Sequence, residues 1–152
     1  AAIMSELQPL LDRLSALINN LSPPARRKMA SAIARKLRAS QQQNIKRQRA
    51  ADGTPFKPRK AQPLRSKKGR IRREMFGKLR AAKYMKARGT PADATVEFTG
   101  RVQRMARVHQ YGLRDRPRRG AKDVKYDARP LLGFSADDLE IVEQEIISRL
   151  SE

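Results

Sequence analysis

Residues 95–112 read TVEFTGRVQRMARVHQYG, and the hydrophobic pattern changes its period inside this stretch. Apolar and polar residues alternate over residues 95–99, and the Val, Thr and Phe found there favour a strand. Gly100 is predicted to form a turn. Over residues 101–110 the apolar side chains recur at three- and four-residue steps, which fits a short helix better than a strand. The stretch therefore predicts a strand followed closely by a helix.

Two amphipathic helices are predicted on the amino-terminal side. Residues 5–20 carry leucines at three- and four-residue steps, which make one apolar stripe. A second helix is expected from Ser22, as the N-cap, to about Ala50. Beyond Ser40 its only large apolar side chain is Ile45. We therefore expect the first half of this helix to pack and the second half to project into solvent or onto a partner.

The sequence DGTP at residues 52–55 predicts a turn that ends the second helix. Residues 55–70, PFKPRKAQPLRSKKGR, contain three prolines and seven basic residues. This composition predicts an extended basic arm. A third helix is expected over residues 71–87, and the sequence GTP at residues 89–91 ends it.

On the carboxyl-terminal side, residues 112–122 predict a basic loop and residues 123–126 a short strand. Ser135 and Asp138 have the spacing of a capping box, with Asp in the place where Glu is usual. The final helix is expected to end near Leu150, with four apolar side chains directed inward: Leu139, Val142, Ile146 and Leu150.

These elements predict one α+β domain over residues 1–152, in which a small antiparallel sheet packs with amino-terminal, central and carboxyl-terminal helices. Two strands alone are marginally stable in water. The sequence leaves two solutions open at this point. Either further strands lie within residues 90–130, or another copy of the chain completes the sheet.

The charge of the chain is distributed unevenly. Of 152 residues, 33% are charged, and the formal net charge is +20. Residues 26–129 contain 33 Lys and Arg residues against 7 acids, a balance of +26, whereas residues 131–152 contain one Arg and six acids, a balance of −5. Because like charges repel, this pattern indicates a polyanionic partner, neighbouring copies that supply acid, or both.

Two sets of charged residues are therefore candidate interaction sites. The basic set is expected to dock a partner or to face DNA, and it comprises Arg65, Lys67, Lys68, Arg70, Arg72, Arg73, Arg116, Arg118 and Arg119. The acidic set is expected to contact another subunit, and it comprises Asp137, Asp138, Glu140 and Glu143. For the acidic set a plainer interpretation stays open, namely a solvated face with favourable charge at a helix amino terminus.

Several kinds of site are not expected from the sequence. With no Cys and a single His, a zinc site cannot be assembled. No Gly-rich phosphate loop and no nucleophile-elbow pattern is present. We therefore expect neither an enzyme nor a cofactor. The charge is not accompanied by a helix–turn–helix, zinc-finger or RNA-recognition pattern, so any contact with nucleic acid should be blind to sequence. No apolar run approaches the roughly 18 residues of a membrane span, and no membrane partner is expected.

The stretch GRVQRMARVHQYG at residues 100–112, followed by DARPLLG at residues 127–133, resembles the phage virion morphogenesis family. The resemblance is to its tail-completion proteins, of the protein S type, from temperate contractile-tailed phages. It extends from about Met4 to Leu150. Three further stretches agree in consistent order: SQQQ at 40–43, DGTPFKP at 52–58 and RIRREMF at 70–76.

This resemblance implies a structural virion protein that completes the tail at its head-proximal end and enables the head to join. Related tail-terminator and neck proteins are α+β and form rings, so a homo-oligomeric ring, most commonly a hexamer, is implied. The implied partners are the tail tube and sheath, the head connector or neck proteins, and DNA that passes through. The implied location is the virion neck, after assembly in the host bacterial cytoplasm.

The family has no known catalytic residues to carry over to this chain. His109, Tyr111 and Arg129 lie in the matching stretches, and we interpret them as packing or subunit-contact residues. The alternative to the virion role is a sequence-nonspecific nucleic-acid-binding protein, which the charge alone would also suggest.

Overall fold

The computed structural model of the protein describes Pro9, Asp12 and residues 14–58, 75–117 and 119–151. Residues 14–19 are helical and are called α1. The remaining elements follow in chain order: α2 Pro23–Lys46, a 3-10 turn at Gly77–Arg80, β1 Met85–Gly89, β2 Ala94–Phe98, α3 Gly100–Tyr111, β3 Arg114–Asp115, β4 Val124–Lys125 and α4 Ala136–Leu150. The predicted α+β class is confirmed. None of the described helices is long and apolar enough to cross a membrane.

Helix α2 is the central element, and its predicted start is confirmed. The Ser22 side chain accepts a hydrogen bond from the Ala25 amide at 3.3 Å, and proline occupies the first helical turn, where no amide donor is needed. The helix has 24 residues, about 36 Å of length. It ends at Lys46, and Gln48 follows with a φ of 57°, so the chain leaves the helix four residues before the predicted end.

The prediction that the second half of α2 projects away from the body is wrong. Gln41 and Ile45 are both fully buried. Gln41 is polar and so does not contribute to an apolar stripe, yet its Oε1 accepts the Gly133 amide at 3.0 Å. A buried polar side chain is tolerated where a hydrogen bond replaces its contact with water. The segment after residue 130 thus covers a part of α2 that looks solvent-facing from its sequence.

The predicted α-helix over residues 71–87 is also wrong: within its described part, residues 75–87, the only helical residues are those of the 3-10 turn at Gly77–Arg80. Residues 71–74 lie outside the described residues. Phe76 has a φ of 65°, the left-handed conformation, which a continuing helix does not allow. After the 3-10 turn the chain enters β1, where Met85 is fully buried. The extended conformation of β1 depends on its pairing with β2. A strand of five residues that is stabilised by such pairing need not show a periodic pattern in its own sequence.

Strands β1 and β2 form an antiparallel hairpin with Met85 opposite Phe98 and Gly89 opposite Ala94. The β2 prediction is confirmed within one residue, and Gly100 begins α3 instead of forming a separate turn. Strands β3 and β4 form a second two-stranded ribbon, which confirms the short strand predicted within residues 123–126. The described strands therefore make two small sheets, and β1 lies outside the range in which further strands were expected.

Helix α4 packs against α2, and its predicted capping box is confirmed because both reciprocal hydrogen bonds are present. Val142 and Ile146 are buried, while Leu139 and Leu150 are partly buried against the core, so the predicted inward face is confirmed. Of the predicted basic arm only residues 55–58 are described. The core combines α2, the first hairpin and α4, with these buried members: Met29, Ile33, Leu37, Ile45, Ala50, Phe56, Leu79, Met85, Val96, Phe98, Ala106, Leu131, Val142 and Ile146.

Candidate interaction surfaces

The two stretches that carry the family resemblance are hydrogen-bonded to each other. The Gln110 Oε1 accepts the amides of Leu131 at 2.7 Å and Leu132 at 2.9 Å. Its Nε2 donates to the Leu132 carbonyl at 2.8 Å. The Arg129 amide donates to the His109 carbonyl at 2.7 Å. The end of α3 and residues 129–132 therefore form one structural unit.

Arg129 is 5% exposed and holds the beginning of the basic arm. Its Nε donates to the Lys57 carbonyl at 2.8 Å and its Nη2 to the Pro58 carbonyl at 3.1 Å. A buried guanidinium needs acceptors for its N–H groups, and the two carbonyls provide them. Arg129 thus acts in packing, where it fixes the last described residues before the gap at 59–74.

His109 is a member of an aromatic cluster. Its ring centroid lies 4.8 Å from that of Phe76 and 4.9 Å from that of Tyr126. Burial lowers the pKa of His109 below 6.5, and the positive charge of Arg129 lowers it further. Its Nδ1 has no hydrogen-bond partner among the described residues. The His109 ring therefore packs in its neutral form. Tyr111, in the same matching stretch, does not pack in this way, since it is 66% exposed.

Most of the predicted basic set lies outside the described residues: Arg65, Lys67, Lys68, Arg70, Arg72, Arg73 and Arg118. Arg116 and Arg119 are described, and both are exposed in the segment that joins β3 to β4. The Arg116 Nε lies 3.4 Å from the Asp123 Oδ1, with both side chains more than half exposed. Such a surface pair contributes little to stability, so Arg116 remains accessible to a partner.

A second group of exposed arginines lies on α3 and was not among the predicted site residues. Arg101, Arg104 and Arg107 are all exposed. The Arg104 Nη2 bonds the Asp115 Oδ1 at 2.7 Å. The pKa of Asp115 is lowered by the Arg116 amide first and by the Arg104 hydrogen bond second. The signal in the sequence was the three-residue spacing, which places these arginines on neighbouring parts of one helical surface.

The acidic set divides into two kinds of residue. Asp137, Glu140 and Glu143 are exposed on α4, and none of them forms an ion pair with a residue in the described ranges. Asp138 is fully buried. Its carboxylate caps the helix and accepts the Ser40 hydroxyl of α2. Asp138 therefore holds α4 to α2, and only the other three acids remain available at the surface.

Glu145, which was not in the predicted set, forms a second charged contact between α4 and α2. Its Oε2 lies 2.7 Å from the Lys36 Nζ, and its Oε1 lies 3.0 Å from the Arg149 Nε. The pKa of Glu145 is lowered, mainly by the hydrogen bond from Lys36. Burial opposes this shift by disfavouring the charged form.

An open groove of about 900 Å³ lies between the second half of α2 and the start of α4. Its walls carry charges of both signs, including Arg47, Arg49, Asp137 and Glu140. Among the residues that the structure describes, no group of three His, Asp or Glu side chains is arranged to hold a metal ion. The groove and the exposed charges are suited to contact with a charged macromolecular surface.

Comparison with known proteins places this fold in a family. The profile of the phage virion morphogenesis family matches residues 5–151. The chain is 42% identical to the tail completion protein S of Escherichia phage P2 over 148 residues, which is 97% of this chain and 99% of that protein. No solved structure matches significantly. On this full-length agreement, the chain belongs to the phage virion morphogenesis family.

Proposed function

We propose that this protein is a structural component of the virion that completes the phage tail at its head-proximal end and enables the filled head to join. The observation that carries the proposal is the relationship to a tail completion protein over nearly the whole of both chains. The exposed charges of the described surface suit contact with other proteins. Its partners are then the tail tube and sheath on one side and the head connector or neck proteins on the other.

The protein acts as a homo-oligomeric ring in the neck, with a hexamer as the expected form, after assembly in the host bacterial cytoplasm. The charge distribution supports this arrangement. A basic body and an acidic carboxyl-terminal helix within one chain favour a head-to-tail contact, and such contacts close into a ring when their rotation permits.

The basic residues of the arm and of the β3–β4 segment face the central channel of the ring, through which DNA passes, or bind neighbouring neck proteins. Contact with passing DNA then occurs through phosphates and is blind to sequence. The second candidate function, a sequence-nonspecific nucleic-acid-binding protein, is favoured by the exposed arginines of α3. It differs from the first in requiring tight DNA binding by a monomer.

Deletion of the gene from the phage genome that encodes this chain tests the first function. We expect filled heads and separate tails to accumulate in electron micrographs of the lysate, and expression of the chain from a plasmid to restore joined virions. If joined, infectious particles formed at normal yield without the chain, the proposal would be wrong. Gel-shift titration of the purified protein with DNA at 50 and 200 mM salt tests the second function.

A further inference from the structure

Helix α3 presents a basic face with an aromatic residue at one end. Residues spaced i, i+3 and i+7 lie on the same side of a helix, and at this spacing α3 carries Arg104, Arg107 and Tyr111. All three are exposed, and Tyr111 is 66% exposed. The Arg104 Nη2 donates to the Asp115 carboxylate, and the other N–H groups of the guanidinium can donate to a partner. These three residues are called the α3 face.

Helix α4 presents an acidic face with the same spacing. At i, i+3 and i+7 it carries Glu140, Glu143 and Ile147. All three are exposed, and Ile147 is one of the large apolar side chains that the described fold leaves uncovered, at 50% exposure. These three residues are called the α4 face.

We propose that the α4 face of one copy packs against the α3 face of a second copy, and that this is the head-to-tail contact of the ring. The proposal rests on the proposed function, because it specifies the surfaces through which that ring closes. The first two positions are basic in the α3 face and acidic in the α4 face. The third position carries a large exposed aromatic or apolar side chain in both. Electrostatic complementarity of this kind selects partner and register.

The two faces do not satisfy each other within one copy. Helix α4 packs against α2, whereas α3 packs against β2. Ala106 in α3 and Val142 in α4 are buried and lie on the side turned away from the proposed face, whereas Val108, one turn beyond Arg104, is buried beside the α3 face. Both faces are therefore open to a neighbour.

The order of the residues indicates how the helices run. In a parallel arrangement Glu140 meets Arg104, Glu143 meets Arg107, and Ile147 meets Tyr111. In an antiparallel arrangement Ile147 would meet Arg104 and Glu140 would meet Tyr111, which pairs charge with apolar surface at both ends. The parallel arrangement buries the two exposed apolar groups together. Glu143 and Arg107 stand opposite each other in the parallel arrangement and are offset by only one residue in the antiparallel one, so they are the pair to test.

Charge exchange at the central pair tests the contact. Glu143→Arg and Arg107→Glu alone each place like charges together, and we expect each to weaken self-association by about tenfold or more. The double variant in one chain restores opposite charge and keeps the net charge at +20. We expect it to assemble like the wild type. Native mass spectrometry and sedimentation velocity over a concentration series measure the assemblies.

A matched control is Lys28→Glu, an exposed residue of α2 outside both faces, which changes the net charge as much as Arg107→Glu does. It should assemble like the wild type. Circular dichroism and thermal melting of every variant exclude unfolding as the cause of a lost assembly. Mixing wild type with the double variant should give separate rather than mixed assemblies, since each mixed contact pairs like charges.

Three outcomes would overturn the contact. In the first, both single variants assemble normally, and the proposed function then stands with a different interface. In the second, the double variant fails to assemble although it is folded. In the third, Arg107→Glu abolishes DNA binding in a gel shift and leaves self-association unchanged, which would assign the α3 face to DNA. Failure of the proposed function is a separate result, because it is seen in the gene deletion and not in these variants.

Discussion

The backbone of Gly89 in β1 lies directly against the backbone of Ser31 in α2. A Cβ placed on Gly89 would overlap the Ser31 amide nitrogen and would lie 2.6 Å from the Ala30 carbonyl carbon. Neither atom belongs to a flexible side chain that could turn aside. The hairpin of β1 and β2 therefore reaches α2 as closely as two backbones can, and only glycine is compatible with this crossing.

We predict that Gly89→Ala destabilises the protein by about 3 kcal/mol, because the helix and the strand must separate to admit the methyl group. Urea unfolding followed by circular dichroism measures the change. The matched control is Gly100→Ala at the start of α3, where an added Cβ meets no atom within 4 Å. That control should be close to neutral, and a Gly89 variant as stable as the control would contradict the close crossing.

We predict that Gln110→Ala destabilises the protein by about 2 to 3 kcal/mol. The amides of Leu131 and Leu132 both donate to the Gln110 side chain. Without that acceptor, the unfavourable free energy of removing the two amides from water is no longer offset by hydrogen bonds. Thermal or urea unfolding measures the loss. Gln103→Ala, at an exposed position of the same helix, should change stability by less than about 0.5 kcal/mol; equal effects at both positions would refute the role of Gln110.

We predict that Glu145 stabilises the fold at neutral pH and that this contribution disappears in acid. Its pKa is lowered from 4.5 in the folded protein, chiefly by Lys36. A carboxyl group with a depressed folded pKa contributes stability above its unfolded pKa and loses it as the pH falls through the folded value. Wild type should therefore be more stable than Glu145→Gln at pH 7, and the difference should shrink below about pH 4.5.

The measurement is urea unfolding of both proteins between pH 7 and pH 3. Glu97→Gln is a suitable control, since Glu97 is exposed on β2 and lies outside both proposed faces. A difference between wild type and Glu145→Gln that stayed constant over this pH range would exclude a charged contact with Lys36 as its origin.

We predict that His109 makes the fold less stable as the pH falls below 6.5. Its pKa is lowered in the folded protein, mainly by burial, so the unfolded chain binds a proton more readily than the folded one. Stability should decline from pH 7 towards pH 5, and His109→Phe should weaken that decline. Because the chain has a single His, its NMR titration reports the pKa directly, and a value at or above 6.5 would contradict the prediction.

Local patterns predicted several elements correctly. The Ser22 N-cap, the alternation of residues 95–99 and the capping box of Ser135 and Asp138 each depend on residues a few positions apart. Caps and hydrophobic periodicities depend only on side chains close together in the sequence, so they can be predicted without knowing the tertiary structure. The family resemblance was likewise visible in short stretches, and the charge imbalance required only counting.

Contacts between distant segments decided the rest. Met85 lies in a segment predicted to be helical, but it pairs with Phe98 in a hairpin. Gln41 lies in the half of α2 predicted to project from the body, but its side chain accepts a hydrogen bond from the Gly133 amide. Asp138 belongs to the acidic set predicted at the surface, but it is buried and its carboxylate accepts a hydrogen bond from the Ser40 hydroxyl of α2. Burial and strand pairing depend on which remote segment packs nearby, and no short window of sequence contains that partner. The sequence thus determined the caps, the main periodicities and the charge, while tertiary structure decided which charges remain at the surface.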